Sequence, residues 1–131
     1  RKCYKMANAV TTDIARQKMC KARAGDITLP TIVGMVFGDG GVGNDGTIIA
    51  PLSSDTTLKN EVFRKDIENY VYPIPTTCRY STTLLKNEAE GKNINEIGLI
   101  DSDGDLIAIK TFGNKYKDSD MEMVFQIDDE F

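Results

Sequence analysis

The sequence predicts an α+β fold: mainly antiparallel β-sheet or a small sandwich, with an N-terminal helix and one further short helix. Three observations lead there. Residues from about Thr12 to Ala24 carry both the start and the stop signals of a helix. Several later segments show apolar runs or period-2 alternation bounded by glycine, proline or aspartate, which is the pattern of strands. Between the first of these strands and the rest, Ser53, Ser54 and Asp55 stand ready to cap a second, shorter helix.

Taken in order, Thr11 or Thr12 caps the first helix, with Asp13 in its first turn, Lys21 and Arg23 in its last, and Gly25 as the left-handed terminating residue. Ala15, Met19 and Ala22 share its modest apolar face, so the basic residues are expected to face solvent or a partner. Ile32, Val33, Met35, Val36 and Phe37 then read as a buried strand ending in the glycine-rich stretch 38–46, expected to be a mobile surface loop. In "TTLKNEVFR", Leu58 and Val62 stand four apart, the spacing expected of the short second helix.

Pro73 and Pro75 in "YVYPIP" argue against a central strand there. Cys78, Tyr80, Thr82 and Leu84 alternate with Arg79, Ser81 and Thr83, as in a half-buried strand. After a polar connection, "INEIGLI", "DSDGD" and "LIAIKTF" form the clearest hairpin in the chain. Met121, Met123, Phe125 and Ile127 lie on one face of a closing strand.

Composition narrows the chemistry. Among 131 residues there is no histidine, which excludes Ser–His–Asp and Cys–His nucleophile pairs, a histidine base and histidine-ligated zinc. No apolar run approaches the roughly 20 residues of a membrane span. Cys3, Cys20 and Cys78 have neither metal-ligand nor disulfide-framework spacing, and reduced thiols are expected. Charge is strongly polarised: residues 1–24 carry seven basic side chains and one acid, whereas residues 118–131 carry six acids and no base. The basic segment lacks interleaved aromatics beyond Tyr4, and the chain as a whole is acidic at −4, so nucleic acid is not the expected partner. Residues 1–5 precede a natural start at Met6-Ala-Asn, and residues 1–10 are read as an N-terminal extension.

Two motifs invite a ligand and are better read as turns. Gly38-Asp39-Gly40-Gly41-Val42-Gly43 satisfies GxGxxG after a strand, yet "NDGTIIAP" follows where a phosphate-binding helix would have to begin. Asp101, Asp103 and Asp105 have the odd-position spacing of a calcium loop, but Gly104 is fourth rather than sixth and Phe112 occupies the twelfth position. No cofactor or metal is expected.

Taken together, "TTDIARQKMCKARAGD", "GMVFGDG", "TTLKNEVFRKDI", "INEIGLIDSDGDLIAI" and "YKDSDMEMVFQIDDEF" resemble the N-terminal domain of bacteriophage tail-collar or tail-fibre proteins. The resemblance extends from Thr11 almost to the end, so that residues 11–131 would form one attachment (collar) domain. It implies a virion component of a phage tail or a phage-derived contractile particle, made in the bacterial cytoplasm, joining a fibre to the baseplate as a homotrimer in contact with other tail proteins. It also implies no catalytic residues. The matching positions are Gly38, Asp39, Gly40, Leu58, Glu61, Val62, Arg64, Glu96, Gly98, Leu99 and Gly104. Asp66 departs from the pattern, standing where relatives often have proline, and no repetitive shaft follows Phe131.

The residues themselves add three expectations. Gly98 within an apolar strand points to a bulge or a close backbone approach. Glu96 and Arg64 both lie in apolar surroundings where an unpaired charge is expensive, so they are expected to pair, with Glu61 sharing the arginine. An alternative function, a receptor- or carbohydrate-binding module at the tail tip, would draw on Tyr70, Tyr72, Tyr80 and Tyr116 and would be favoured if three of them cluster. A glycosidase would need two carboxyl groups roughly 5–9.5 Å apart in a cleft, and nothing in the sequence selects such a pair.

Overall fold

Helix α1 (Asp13–Arg23) forms where its terminal signals place it. Thr12 is extended, its hydroxyl accepts from the Ala15 amide at 3.3 Å, and Gly25 follows the C-cap Ala24 with φ +83°. The same hydroxyl donates to the Leu106 carbonyl at 2.7 Å, so the cap that starts the helix also ties it to the sheet. In the computed structural model, which describes residues 8–131, eight strands accompany this helix: β1 (Ala9–Thr11), β2 (Ile32–Gly38), β3 (Glu61–Asp66), β4 (Asn69–Ile74), β5 (Thr77–Leu84), β6 (Asn93–Asp101), β7 (Leu106–Tyr116) and β8 (Met123–Glu130).

All strand pairings are antiparallel and fall into two sheets. The five-stranded sheet runs β1-β7-β6-β2-β3 and the three-stranded sheet β4-β5-β8. Met35, Phe37, Ile97 and Leu99 of the larger sheet pack with Leu84, Phe125 and Ile127 of the smaller, giving a sandwich-like core. Phe125 meets Phe37 edge-on, centroids 5.3 Å apart, and stacks on Phe112 at 6.2 Å. Each such buried side chain contributes about 1.5–3 kcal/mol.

The larger sheet is covered on its second face as well, where Val36, Ile100, Leu106 and Ile109 pack with Leu58 from the 39–60 segment. Burial on both faces explains why β6 reads as a nearly continuous apolar run, buried from Ile94 to Asp101. Ile107 is the extra residue of a bulge, because Leu99 pairs with Ala108 and Ile100 with Leu106, and it turns into the main core.

The fold class differs from the expected α+β. Among the described residues, strands take 48% and helix only 10%, so the fold is mainly β with one short helix. The second helix is absent, because Glu61–Asp66 pairs with β2, setting Phe63 opposite Phe37 and Arg64 opposite Val36. Two apolar positions four apart are weak support for a helix, whereas Val62-Phe63 fits a pleated, half-buried surface and wins a partner strand. Asp55 accepts from the Leu52 amide, closing a turn rather than capping a helix.

Pro73 lies in β4, an edge strand, in keeping with the exclusion of a central one. Met121 falls outside β8 and is exposed. Gly98 makes the close approach its place in an apolar strand suggests. A Cβ there would lie 2.5 Å from Leu106 Cδ1 and 2.9 Å from the Ala108 carbonyl oxygen. Gly98→Ala is therefore expected to destabilise the fold by about 1–3 kcal/mol, read as a lower urea midpoint with an unchanged slope.

Candidate functional site

The polar centre of the molecule is Glu96. Its place on β6 buries it to 2% exposure, where an unpaired carboxylate would be very costly. Three backbone N–H groups satisfy it: Gly40 and Asn60 donate to Oε2 at 2.9 Å each, and Lys59 donates to Oε1 at 3.0 Å. Asn95 continues the arrangement, its Oδ1 accepting from the Gly41 amide at 2.7 Å while its Nδ2 donates to the Asp39 carbonyl at 3.2 Å and to Asn114 Oδ1 at 2.8 Å. Asn60 in turn donates from Nδ2 to Asp39 Oδ1 at 2.6 Å. Two loop segments far apart in sequence, 39–41 and 59–60, are thus held on two adjacent side chains of one strand.

This geometry explains the glycines. A Cβ on Gly38 would meet the Glu96 carboxylate and the Asn60 carbonyl, one on Gly40 would lie 2.6 Å from Lys59 Cβ, and one on Gly41 would strike the Asn95 backbone. The stretch is fixed at its first four residues. Farther on, Gly43 donates to the Thr47 carbonyl at 2.8 Å and Val42 bridges Ile48, closing a turn where a phosphate-binding helix would need to start.

Among the other matching positions, Glu61 stands opposite Gly38 across the β2–β3 pairing. Val62 packs on the main core, Leu58 on the second cluster, and Leu99 lies in the main core. Gly104, at φ +88°, turns the β6–β7 hairpin away from this centre. The expected ion pair is only half realised. Arg64 binds Glu61 through two hydrogen bonds of 2.7 and 2.9 Å on an exposed surface, which holds its guanidinium above its ordinary pKa. Glu96 has no part in it, because backbone donors already satisfy both of its oxygens.

A second polar cluster was hidden in the helix. Lys18 is buried on the Ala15–Ala22 face, and its Nζ meets Asp101 Oδ2 at 2.6 Å, Asp105 Oδ2 at 2.7 Å and Asp103 Oδ2 at 3.1 Å. Burial alone would pull the ammonium down, but hydrogen bonds to Asp101, Asp105 and Asp103 outweigh it and leave the pKa above the lysine range. Asp101 Oδ1 also accepts from the Asp103 and Asp105 amides at 3.0 Å each. The three carboxylates with calcium-like spacing therefore converge on an ammonium supplied by the same chain. Sequence spacing carried the signal, since Lys18 stands three residues after Ala15 and four before Ala22 and so shares their buried face. The helix accordingly presents Arg16, Lys21 and Arg23, but not Lys18, to solvent.

The third feature is a cavity of about 280 Å³ between α1, the 29–32 segment and the inner faces of β4, β5 and β8. Tyr72, Cys78, Tyr80 and Asp129 line it. Tyr70 joins the first of these, its ring 5.8 Å from Tyr72 and 6.2 Å from Tyr80, so three of the four tyrosines cluster. Tyr116 lies apart, opposite Asn93 at the end of β7. Burial raises the Asp129 carboxyl to about 6 and the Tyr80 hydroxyl above the usual tyrosine range. Cys78 is buried and Cys20 exposed, both as free thiols, while Cys3 lies outside the described residues.

Among the described residues, the polar side chains at the centre hold loops and a helix in place. Such a molecule is built as a structural β-sandwich. The chain belongs to the phage tail-collar fibre protein family, whose N-terminal domain matches residues 6–126. It is thus a phage tail structural component, in agreement with the resemblance carried by its motifs. No curated protein and no solved structure matches it. No helix among the described residues is long and apolar enough to cross a membrane.

Two outcomes are expected from these groups. Glu96→Ala removes the acceptor of three partly buried backbone amides and should cost about 1–3 kcal/mol in chemical denaturation, with Glu96→Gln intermediate because one acceptor oxygen survives. For Asp129 the folded-state pKa of about 6 exceeds the ordinary 3.8, so the folded protein holds the extra proton and stability falls as pH rises between those values. Asp129→Asn should therefore melt higher than the parent at pH above about 6, and the difference should vanish near pH 3.8.

Proposed function

We propose that residues 11–131 act as one attachment domain that joins a tail fibre to the baseplate of a phage tail or a phage-derived contractile particle, as a homotrimer without enzymatic activity. Synthesis in the bacterial cytoplasm and assembly into the tail follow from that role. The observation that carries the reading is β4. It is an edge strand whose Tyr70, Val71, Tyr72 and Ile74 are 48–66% exposed, a continuous apolar strip beside unpaired backbone groups. Isolated proteins blunt such edges, and this one is suited to cover by another chain. Arg16, Lys21 and Arg23 on the helix surface and Asp118, Asp120, Glu122 and Glu130 near the end of the chain supply opposite charges that can steer docking. The matching positions around Glu96 serve this role by keeping the 38–60 segment fixed against the sheet.

Light scattering coupled to gel filtration tests the assembly. A trimer is expected for the parent, and Val71→Lys should shift it toward monomer with little change in melting temperature. A strict monomer at high concentration would contradict trimerisation through this domain.

A second reading, a receptor- or carbohydrate-binding module at the tail tip, is favoured by the grouping of Tyr70, Tyr72 and Tyr80. Binding of host surface oligosaccharide that is lost in Tyr72→Ala would support it over fibre attachment.

A further inference from the structure

The cavity lined by Tyr72, Tyr80 and Asp129 has an unbalanced charge. Asp129 is only 8% exposed, burial is the one influence on its carboxyl, with no hydrogen-bond donor or cation among the described residues countering it, and its oxygens stay accessible from the cavity. Two other charged residues line the same space, Lys18 and Asp101. The Lys18 ammonium is already shared by three carboxylates, so it offers Asp129 no free charge. What remains is a carboxylate in mostly apolar walls: Ala15, Met19, Leu29, Pro30, Ile32 and Ile107, with two tyrosine rings beside them.

We propose that this cavity takes the basic side chain of a partner protein, a lysine or arginine whose apolar stem fills the pocket and whose cation pairs with Asp129. A volume of about 280 Å³ is at the lower limit of ligand sites and suits one long side chain. Tyr72 and Tyr80 offer ring faces that attract a cation as well as apolar surface for its stem. A neutral occupant would leave the buried carboxylate unpaired, and an anionic one would be repelled by it. A cation relieves the desolvation that holds the Asp129 carboxyl at about 6.

The test is NMR titration of the full chain with three blocked amino acids: Nα-acetyl-lysine methylamide, the arginine equivalent, and the norleucine equivalent as a neutral isostere. Lysine or arginine should shift the signals of Tyr72, Tyr80 and Asp129 and bind roughly tenfold or more tightly than norleucine. Asp129→Asn should abolish that preference while the protein stays folded by circular dichroism. In the parent, lysine binding should weaken as pH falls through about 6, where Asp129 protonates; Lys18, Asp101, Cys78, Tyr72 and Tyr80 are the other titratable groups lining the space. This pH arm needs no variant. Equal binding of lysine and norleucine would overturn the proposal, leaving only an apolar hole. So would no binding at all, or binding of free n-butylammonium but of neither blocked basic residue.

Discussion

A single buried carboxylate sets the arrangement of this domain. Glu96 sits on the central strand of the larger sheet, and its two oxygens are bound by amides from segments 56 and 36 residues away in sequence. In water those amides would be satisfied anyway. At 2% exposure the exchange is binding in both directions: the carboxylate needs donors, and Gly40, Lys59 and Asn60 supply them, with Gly38 and Gly40 leaving the room for that close approach. The consequence reaches the far side of the sheet. With 39–41 and 59–60 fixed, the chain between them is brought over the second face, where Leu58 closes the smaller apolar cluster and Ile49 accepts from Thr111.

The same economy governs the helix. An eleven-residue helix with one modest apolar face is marginal alone. Thr12 joins it to β7 at one end, and Lys18 joins it to the β6–β7 hairpin through Asp101, Asp103 and Asp105 in the middle. Part of the charge that distinguishes the two ends of the sequence is therefore spent inside the fold. Lys18 is neutralised by the hairpin, Asp128 is held by Arg79 in a pair of 2.8 and 3.2 Å, and Asp129 is buried. The charges left on the surface are fewer than the segment totals suggest, and they are the ones available to other tail proteins.

Much of this was legible in the residues, for reasons that differ by element. The helix was readable because caps, terminal charges and Gly25 agreed, and the β6–β7 hairpin because Asp-Gly lies between two apolar runs. The second helix was misread because local spacing at Leu58 and Val62 cannot register that β2 lacks a partner on that side. Glu96 was recognised as a buried charge in need of partners, yet the expected guanidinium proved to be backbone. Amide donors leave no mark on side-chain sequence except the glycines that let them approach. Lys18 and Asp129 are concealed for the opposite reason: each belongs to a charged segment whose total says nothing of direction, although helical or strand periodicity places both on inward faces.

The most direct test of Glu96 as the organising centre is native-state hydrogen exchange at the amides of Gly40, Lys59 and Asn60, which lie in loops and outside any strand ladder. If the carboxylate holds the two segments, these amides exchange only through global unfolding, with protection matching that of the core strands β2 and β6. Exchange at the fast rate of the exposed turn around Gly46 would show that the loops open independently, and Glu96 would then be a passenger in the sheet.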